Sequence, residues 1–196
     1  MVPPQSLRDS DASTRQAIVV HPLKPHAIQA CLSAWQKQGS SWHRLFLVRA
    51  VIGRNGLAPI GEKKEGDGRT PSGTYALGPA FGYEPSIDTG LAYRQATDDD
   101  FWVDDMHSMQ YNQWVHGKPQ AQSFERLKRD DGLYRYAVVI GYNMHPIVPG
   151  AGSAIFMHIW RAFNSPTSGC VALDPRKLRR ILRWLDAKAQ PIIILE

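Results

Sequence analysis

Short runs that alternate apolar and polar residues, bounded by Gly, Pro, Asn and Asp, recur along most of this chain. A period of two is typical of β-strands with one buried face. The clearest run, residues 153–159, places Ala154, Phe156 and His158 on one face of a predicted strand. Further strands are predicted at 17–20, 42–52, 74–77, 133–143 and 192–195.

Three segments instead have apolar residues three and four positions apart, which predicts helices over 26–38, 121–128 and 174–188. Asp174 and Pro175 have the residue types preferred at a helix N-cap and at the first helical position. Cys31 lies on the apolar stripe of the first helix, so we expect a buried structural thiol there. Together the patterns predict a mainly β fold with peripheral helices, a sandwich or barrel of about eight to ten strands.

The length of 196 residues suits a single domain. Residues 1–16 are polar and contain Pro3 and Pro4, so we expect a loose N-terminal leader followed by one domain over 17–196. The leader lacks a basic segment followed by an apolar one, so no signal peptide is expected. No apolar run approaches the roughly 20 residues of a membrane helix, so no membrane span is expected.

The net charge of +5 is concentrated near the C-terminus, where residues 174–188 carry six basic and two acidic side chains, or +4. We interpret this charge first as a solvated helix face, and second as a surface for an acidic partner such as an envelope polymer. Nucleic acid ranks last because no recognised nucleic-acid module is present. The acidic cluster at 98–105 lacks the ligand spacing of a calcium loop and is predicted to be a solvated loop.

Residues 158–170 hold the residue types that thiol catalysis requires. Cys170 follows a loop rich in Ser, Thr, Pro and Gly, and the backbone N–H groups of Gly169 and Cys170 are candidate oxyanion donors. His158, twelve positions earlier, is the candidate base that takes the thiol proton. A backbone carbonyl just after His158 is the candidate group that orients the imidazole. His145 is the rival base and a candidate supporting residue.

At these positions the chain resembles the YkuD-type L,D-transpeptidases, whose mark is a histidine followed by a Ser/Thr-His-Gly-Cys element. The matching residues are His158, then Thr167, Ser168, Gly169 and Cys170. The chain departs from the family pattern at Ser168, where a second histidine is usual, in a shorter loop, and in Val171-Ala172 in place of Ile-Arg. The resemblance covers roughly residues 42–173.

The resemblance implies the L,D-transpeptidase catalytic fold, a β-sandwich or barrel. It implies acyl transfer on peptidoglycan stem peptides, in which Cys170 attacks the diaminopimelate carbonyl next to a terminal D-alanine and forms a thioester. The expected partners are a tetrapeptide donor and an amine acceptor, with no cofactor and no metal, and the expected state is a monomer. It also implies the periplasm or cell envelope, with the cytoplasm as the alternative because no signal peptide is expected. Candidate substrate-binding residues are Ser168, Thr167, Arg161, Arg69, Lys63, His145 and Tyr111.

Several alternatives remain open at the level of sequence. Water as the acceptor would make the protein an L,D-carboxypeptidase. The altered motif and the basic helix also fit an inactive peptidoglycan-binding module. A metal site formed by His145, His158 and Cys170 is a further alternative, although no short chelating pair anchors it.

Overall fold

Strands dominate the chain in the computed structural model, which describes residues 3–196. The strands are β1 (Gln16–Pro22), β2 (Gln29–Gln38), β3 (Ser41–Val51), β4 (Leu57–Ala58), β5 (Thr70–Pro71), β6 (Gly73–Gly82), β7 (Tyr93–Gln95), β8 (Asp100–Val103), β9 (Trp114–His116), β10 (Phe124–Arg126), β11 (Tyr136–Ile140), β12 (Phe156–Ile159), β13 (Val171–Leu173) and β14 (Ile192–Leu195). The helices are α1 (Gln5–Arg8) and α2 (Pro175–Trp184), and a 3-10 turn follows at Ala187–Ala189. The predicted mainly β fold class is confirmed.

The main sheet closes into a ring. Its order is β11-β12-β13-β3-β2-β1-β14-β6-β7, and β11 also pairs with β6. β14 lies between β1, with which it is parallel, and β6, with which it is antiparallel. The last strand of the chain therefore lies between the first strand and β6.

Two of the hydrophobic clusters meet at β12, because side chains alternate along this strand. The larger contains Ile155 and Met157 of the β12 region together with Leu178 and Ile181 of α2. The opposite face of β12 contributes Phe156 to a second, aromatic cluster that also contains Cys170. The prediction that residues 153–159 present two different faces is confirmed, and the cysteine shares the face of Phe156.

The helix predicted over 26–38 is wrong, because Gln29–Gln38 forms β2. This strand pairs with β1 on one side and β3 on the other, and Cys31 is half-buried on it. Ala30, Leu32 and Ala34 alternate into the core, a period of two that coexists with the helical spacing seen in the sequence. Pairing on both edges satisfies the backbone hydrogen-bonding groups of this segment and outweighs its weak local preference for a helix.

The helix predicted over 121–128 is also wrong, because this segment contains β10. β10, β8 and β9 form a separate three-stranded sheet in the order β10-β8-β9. Asp100 at the start of β8 is only 2% exposed and accepts hydrogen bonds from Arg94, Thr97 and Trp114. The solvated acidic loop predicted at 98–105 is therefore wrong at Asp100, which is buried in this sheet.

The C-terminal helix is confirmed as α2. The Asp174 carboxylate accepts hydrogen bonds from the N–H groups of Arg176 and Lys177, and Pro175 occupies the first turn. Leu178, Ile181 and Leu182 are buried. The predicted cap and apolar stripe thus both form, but the helix ends at Trp184 rather than at the predicted residue 188, and the 3-10 turn at Ala187–Ala189 precedes β14.

The segment predicted as a loose leader forms a single helical turn, α1, within its described part, and Leu7 is fully buried beside Val19 and Trp35. Residues 1–2 of that predicted leader lie outside the described residues. The domain boundary at residue 16 stays a prediction.

Candidate active site

A cavity of about 370 Å³ opens beside the end of β12 and the start of β13. Four parts of the chain line it: Arg54, the 63–66 loop, the three-stranded sheet with the segment that follows it, and the 153–172 region. Its lining includes Cys170 and His158 together with Glu65, Asp104, Glu125 and Arg129. The structure therefore gathers the predicted nucleophile and base with carboxylates that the sequence did not single out.

Backbone contacts hold the loop that carries the cysteine. The Thr167 N–H donates to the Ile52 carbonyl at 3.0 Å, and the Arg54 N–H donates to the Thr167 carbonyl at 2.9 Å. The Thr167 hydroxyl donates to the Cys170 carbonyl at 2.7 Å. Thr167 therefore positions the cysteine backbone against the end of β3.

Gly169 has φ +153°, a conformation that side chains rarely adopt, and a Cβ there would lie 2.9 Å from the Arg69 carbonyl oxygen. The Arg69 backbone thus abuts the nucleophile loop. The Gly169 N–H donates to the Thr167 hydroxyl oxygen at 3.1 Å. Its role as an oxyanion donor stays a prediction, and that role requires this hydrogen bond to be exchanged.

Cys170 is 7% exposed, and its sulfur lies between two backbone groups. The Phe156 N–H donates to Sγ at 3.4 Å, and the thiol donates to the Ala154 carbonyl at 3.3 Å. Burial, and then the negative charge of Glu125, raise the pKa of the Cys170 thiol to about 12. The Cys170 thiol is therefore neutral, and its direction is fixed by the backbone of Ala154 and Phe156.

His158 is oriented by a backbone carbonyl, as the sequence predicted. Its Nδ1 lies 2.7 Å from the Ile159 carbonyl oxygen. Because a carbonyl can only accept, Nδ1 carries the proton and Nε2 keeps its lone pair, the state that a general base requires. The imidazole ring packs edge-on against the Tyr134 ring, with 5.1 Å between the ring centroids. Burial lowers the pKa of His158 to about 4.

Strand pairing places the two residues on one face. β12 and β13 are parallel, with His158 opposite Ala172, and Cys170 precedes Ala172 by two positions. Alternate residues of a strand share a face, so the thiol and the imidazole open into the same cavity. Within residues 3–196 no hydrogen bond joins Sγ to the imidazole, and the thiol proton points to Ala154 instead.

The candidate cations differ in their surroundings. Lys63 is 7% exposed and forms a 2.7 Å ion pair with Asp67. Arg161 lines the cavity and forms a 2.7 Å ion pair with Asp131. The Arg69 N–H donates to the Asp67 carboxylate at 2.8 Å.

Ser168 accepts a hydrogen bond from Arg54 at 3.3 Å, and both residues line the cavity. Arg54 therefore lies beside the loop that carries Cys170. Sequence reasoning missed this residue because it lies 116 positions before Cys170. Tyr111 is 2% exposed, and its hydroxyl donates to Glu65, a residue of the cavity wall. His145 is exposed and is not part of the cavity lining.

Sequence reasoning also missed Asp104, Glu125, Arg129 and Tyr134. The alternation in the 124–126 segment was the available signal, but three residues are too few to separate a strand from a helical turn. Among residues 3–196 no group of three or more His, Cys, Asp or Glu side chains is placed to hold a metal ion. The ligands of the metal-site alternative, His145, His158 and Cys170, are thus not brought together.

Comparison with known proteins shows similarity to a protein family and to solved structures. The family model described as YkuD, L,D-transpeptidase catalytic domain, matches residues 18–194. The structure of Bdellovibrio bacteriovorus Bd1075 superposes with a TM-score of 0.51 at 15% identity, covering 96% of this chain and 50% of that chain. This likeness is one of fold alone, and the chain spans about half the length of that protein.

No curated protein sequence matches the chain. Within the described residues, the helices are all too short or too polar to cross a bilayer.

Proposed function

Because this chain belongs to the YkuD family of L,D-transpeptidase catalytic domains, which its match over residues 18–194 shows, we propose that it is a cysteine-dependent acyltransferase. Its proposed donor is a peptidoglycan stem peptide that ends in D-alanine. We also propose the cell envelope as the place of action, since peptidoglycan lies there.

The observation that carries this proposal is the shared cavity of Cys170 and His158. His158 presents an unprotonated Nε2, and Cys170 presents a neutral thiol on the same strand face. The thiol proton passes to the imidazole as the sulfur attacks the diaminopimelate carbonyl, because neither group carries charge at rest. The imidazolium then gives the proton to the departing D-alanine nitrogen, which leaves a thioester on Cys170.

Stabilising the oxyanion requires backbone donors at the nucleophile. Those proposed are the N–H groups of Cys170 and Gly169, each of which is worth about 3–4 kcal/mol in comparable sites. Gly169 becomes available once its bond to Thr167 is exchanged for one to the substrate. In the second half of the reaction an amine or water takes the acyl group from sulfur.

Incubation with a disaccharide tetrapeptide tests the proposal. Intact-protein mass spectrometry should show one adduct, the donor minus D-alanine, together with release of free D-alanine. Cys170→Ala should show neither the adduct nor the release, and Cys31→Ala should show both. Release of D-alanine by Cys170→Ala would contradict the proposal, and release without any amine-linked product would identify the carboxypeptidase alternative.

An inactive peptidoglycan-binding module is a second candidate, favoured by the buried thiol that points its proton away from His158. A thiol-reactive carbapenem, the inhibitor class that the family resemblance suggests, separates the two. Covalent labelling of Cys170 that is lost in His158→Gln supports the enzyme. Failure of the wild-type protein to become labelled while it still binds peptidoglycan supports the module.

A further inference from the structure

The imidazole of His158 is oriented without a carboxylate. In many catalytic triads a carboxylate fixes the imidazole, but among residues 3–196 no carboxylate is hydrogen-bonded to this ring, whose Nδ1 meets the Ile159 carbonyl instead. The peptide that carries this carbonyl is held by β13, because the Trp160 N–H donates to the Leu173 carbonyl at 3.0 Å. One hydrogen bond leaves the side-chain torsion angles only partly determined. A second contact must therefore set the direction of Nε2.

Tyr134 supplies this second contact. Its ring meets the imidazole of His158 edge to face, with 5.1 Å between the centroids and 73° between the planes. Tyr134 is 4% exposed and lines the cavity. Because edge-to-face ring contacts are directional, the tyrosine restricts the plane in which the imidazole lies.

The Tyr134 side chain is itself fixed at its tip, its edge and its face. The hydroxyl donates to the Glu125 carboxylate at 2.6 Å. The ring meets Phe156 and Phe81 edge to face, with centroids 5.6 and 5.9 Å away. The Arg129 guanidinium lies 5.1 Å from the ring centroid. A ring held in this way is a rigid support for a neighbouring side chain.

The backbone of the tyrosine segment is attached to β12, the strand that carries the imidazole. The Ile159 N–H donates to the Leu133 carbonyl at 3.1 Å. Asp131 forms 2.7 Å ion pairs with Arg129 and with Arg161, and the second of these arginines follows β12 by two residues. A backbone hydrogen bond and a charged bridge thus join the support to the strand that it supports.

We propose that Tyr134 is a positioning residue for the acyl transfer, and that its ring holds the imidazole of His158 so that Nε2 faces the cavity shared with Cys170. This inference rests on the proposed function and assigns an orienting role to a side chain outside the histidine and cysteine motif. The hydrogen bond to Glu125 keeps the ring in place, and the ring contact carries the effect.

Variants that remove the ring or only its hydroxyl test this role. Tyr134→Met replaces the ring with a flexible apolar chain, and Tyr134→Phe keeps the ring. Phe101→Met is the matched control, because Phe101 is a buried ring of the three-stranded sheet outside the cavity lining. The limiting rate of adduct formation with the tetrapeptide donor should fall about tenfold or more in Tyr134→Met, since a small misplacement of a catalytic group is costly. It should fall by about threefold or less in Tyr134→Phe and in Phe101→Met, where the imidazole keeps its support.

The half-saturating concentration of the donor separates positioning from donor binding. It should stay within about twofold of the wild-type value in Tyr134→Met, because the ring acts on His158 and not on the donor. A higher half-saturating concentration with an unchanged limiting rate would show that Tyr134 binds the donor, and would overturn the proposal. So would a limiting rate that is equally low in Tyr134→Phe or in Phe101→Met.

Nitrogen-15 NMR of the imidazole keeps the test independent of catalysis. The chain has seven histidines, so the spectrum of His158→Gln identifies the His158 signals. Wild-type protein and Phe101→Met should show one tautomer, protonated at Nδ1, and Tyr134→Met should show both tautomers. A single tautomer in Tyr134→Met would refute the positioning role, and so would a mixture in wild-type protein, whether or not Tyr134→Met folds. If wild-type protein forms no acyl-enzyme, the proposed function fails, and these spectra still decide whether Tyr134 orients His158.

Discussion

At the scale of single residues, the thiol and the imidazole that share the cavity are both neutral at rest. Burial and Glu125 raise the pKa of Cys170, while burial lowers the pKa of His158, so charge separation is disfavoured on both sides of the pair. In a neutral pair the proton moves from sulfur to imidazole only as the sulfur attacks the substrate, because the forming S–C bond lowers the basicity of sulfur. Reactivity is thereby coupled to substrate binding.

The pH dependence of thiol alkylation tests whether the Cys170 thiol is neutral at rest. In a Cys31→Ser background, the rate of Cys170 modification by iodoacetamide should rise with pH and show no plateau below about pH 11, because the thiol pKa is about 12. A small free thiol, alkylated in parallel, should level off near pH 9. A plateau at Cys170 below pH 8 would indicate a preformed thiolate–imidazolium pair instead.

His158 also makes stability depend on pH. Its folded pKa of about 4 lies below the unfolded value of 6.5, so protons bind the unfolded chain preferentially between these values and stability falls as pH falls. Urea unfolding should show roughly 2–3 kcal/mol less stability at pH 4.5 than at pH 7 from this residue. His158→Gln should lack that part of the loss, whereas His43→Gln, at an exposed position, should retain it. Equal losses in both variants would contradict the assignment.

The site residues that could be predicted were those close together in sequence. Cys170, His158 and the orienting carbonyl of Ile159 all belong to one strand-loop-strand segment, where alternation and turn composition determine the geometry. Asp104 and Glu125 enter the cavity through long-range pairing, which leaves no local pattern. Arg54 likewise reaches Ser168 only through the docking of two distant loops.

At the scale of elements, the three-stranded sheet supplies one wall of the cavity and depends on Asp100. Burial opposes ionisation of this carboxylate, but hydrogen bonds from Thr97 and Trp114 outweigh that effect and hold its pKa well below the usual range. Asp100 connects the start of β8 to Trp114 of β9 and to the 94–97 segment. The position of Glu125 on β10 thus depends on a buried carboxylate two strand positions away from its partner Trp102.

Asp100→Asn should destabilise the fold by about 2–4 kcal/mol, because an amide cannot accept from all the buried donors that now share the carboxylate. Wild-type stability should also fall as pH drops below 3.8, where the unfolded carboxylate takes up a proton that the folded one resists. Asp98→Asn is the control, because its ion pair with Lys128 lies at the surface and contributes little to stability. Chemical denaturation measures the free energy of unfolding of both variants. Similar losses of stability in the two would argue against a central role for Asp100.

Which elements could be predicted depended on length and on pairing. α2 has ten residues, a cap and an apolar stripe, so its signal was unambiguous. β2 has apolar residues that satisfy both a period of two and a helical spacing, and only pairing with β1 and β3 decides between them. Strands of two or three residues, such as β4, β5 and β10, have no detectable period at all.

At the scale of the whole molecule, the ring of strands is completed by contacts between the ends of the chain. β14 lies between β1 and β6, and Ile193, Ile194 and Leu195 are buried there. A parallel pair of terminal strands is a long-range contact that alternation cannot specify, although the resemblance to a known family implied a β-sandwich or barrel. Folding of the ring therefore requires nearly the full described sequence.

Truncation of the chain after Pro191 should abolish cooperative unfolding, because it removes a strand with two partners and exposes the apolar edges of β1 and β6. Near-ultraviolet circular dichroism during thermal unfolding measures this loss. Removal of Glu196 alone should leave the transition nearly unchanged, since this residue is exposed and only extends the strand. A cooperative transition in the shorter protein would show that β14 is dispensable.

The placement of the Cys170 sulfur between Phe156 and Ala154 has a consequence for durability. Peroxides attack the thiolate form, and an enclosed, protonated sulfur offers them neither charge nor access. A thiol kept in this state resists conversion to sulfenic acid. Under the proposed function, Cys170 therefore tolerates oxidants at rest and becomes open to oxidation only while substrate is bound.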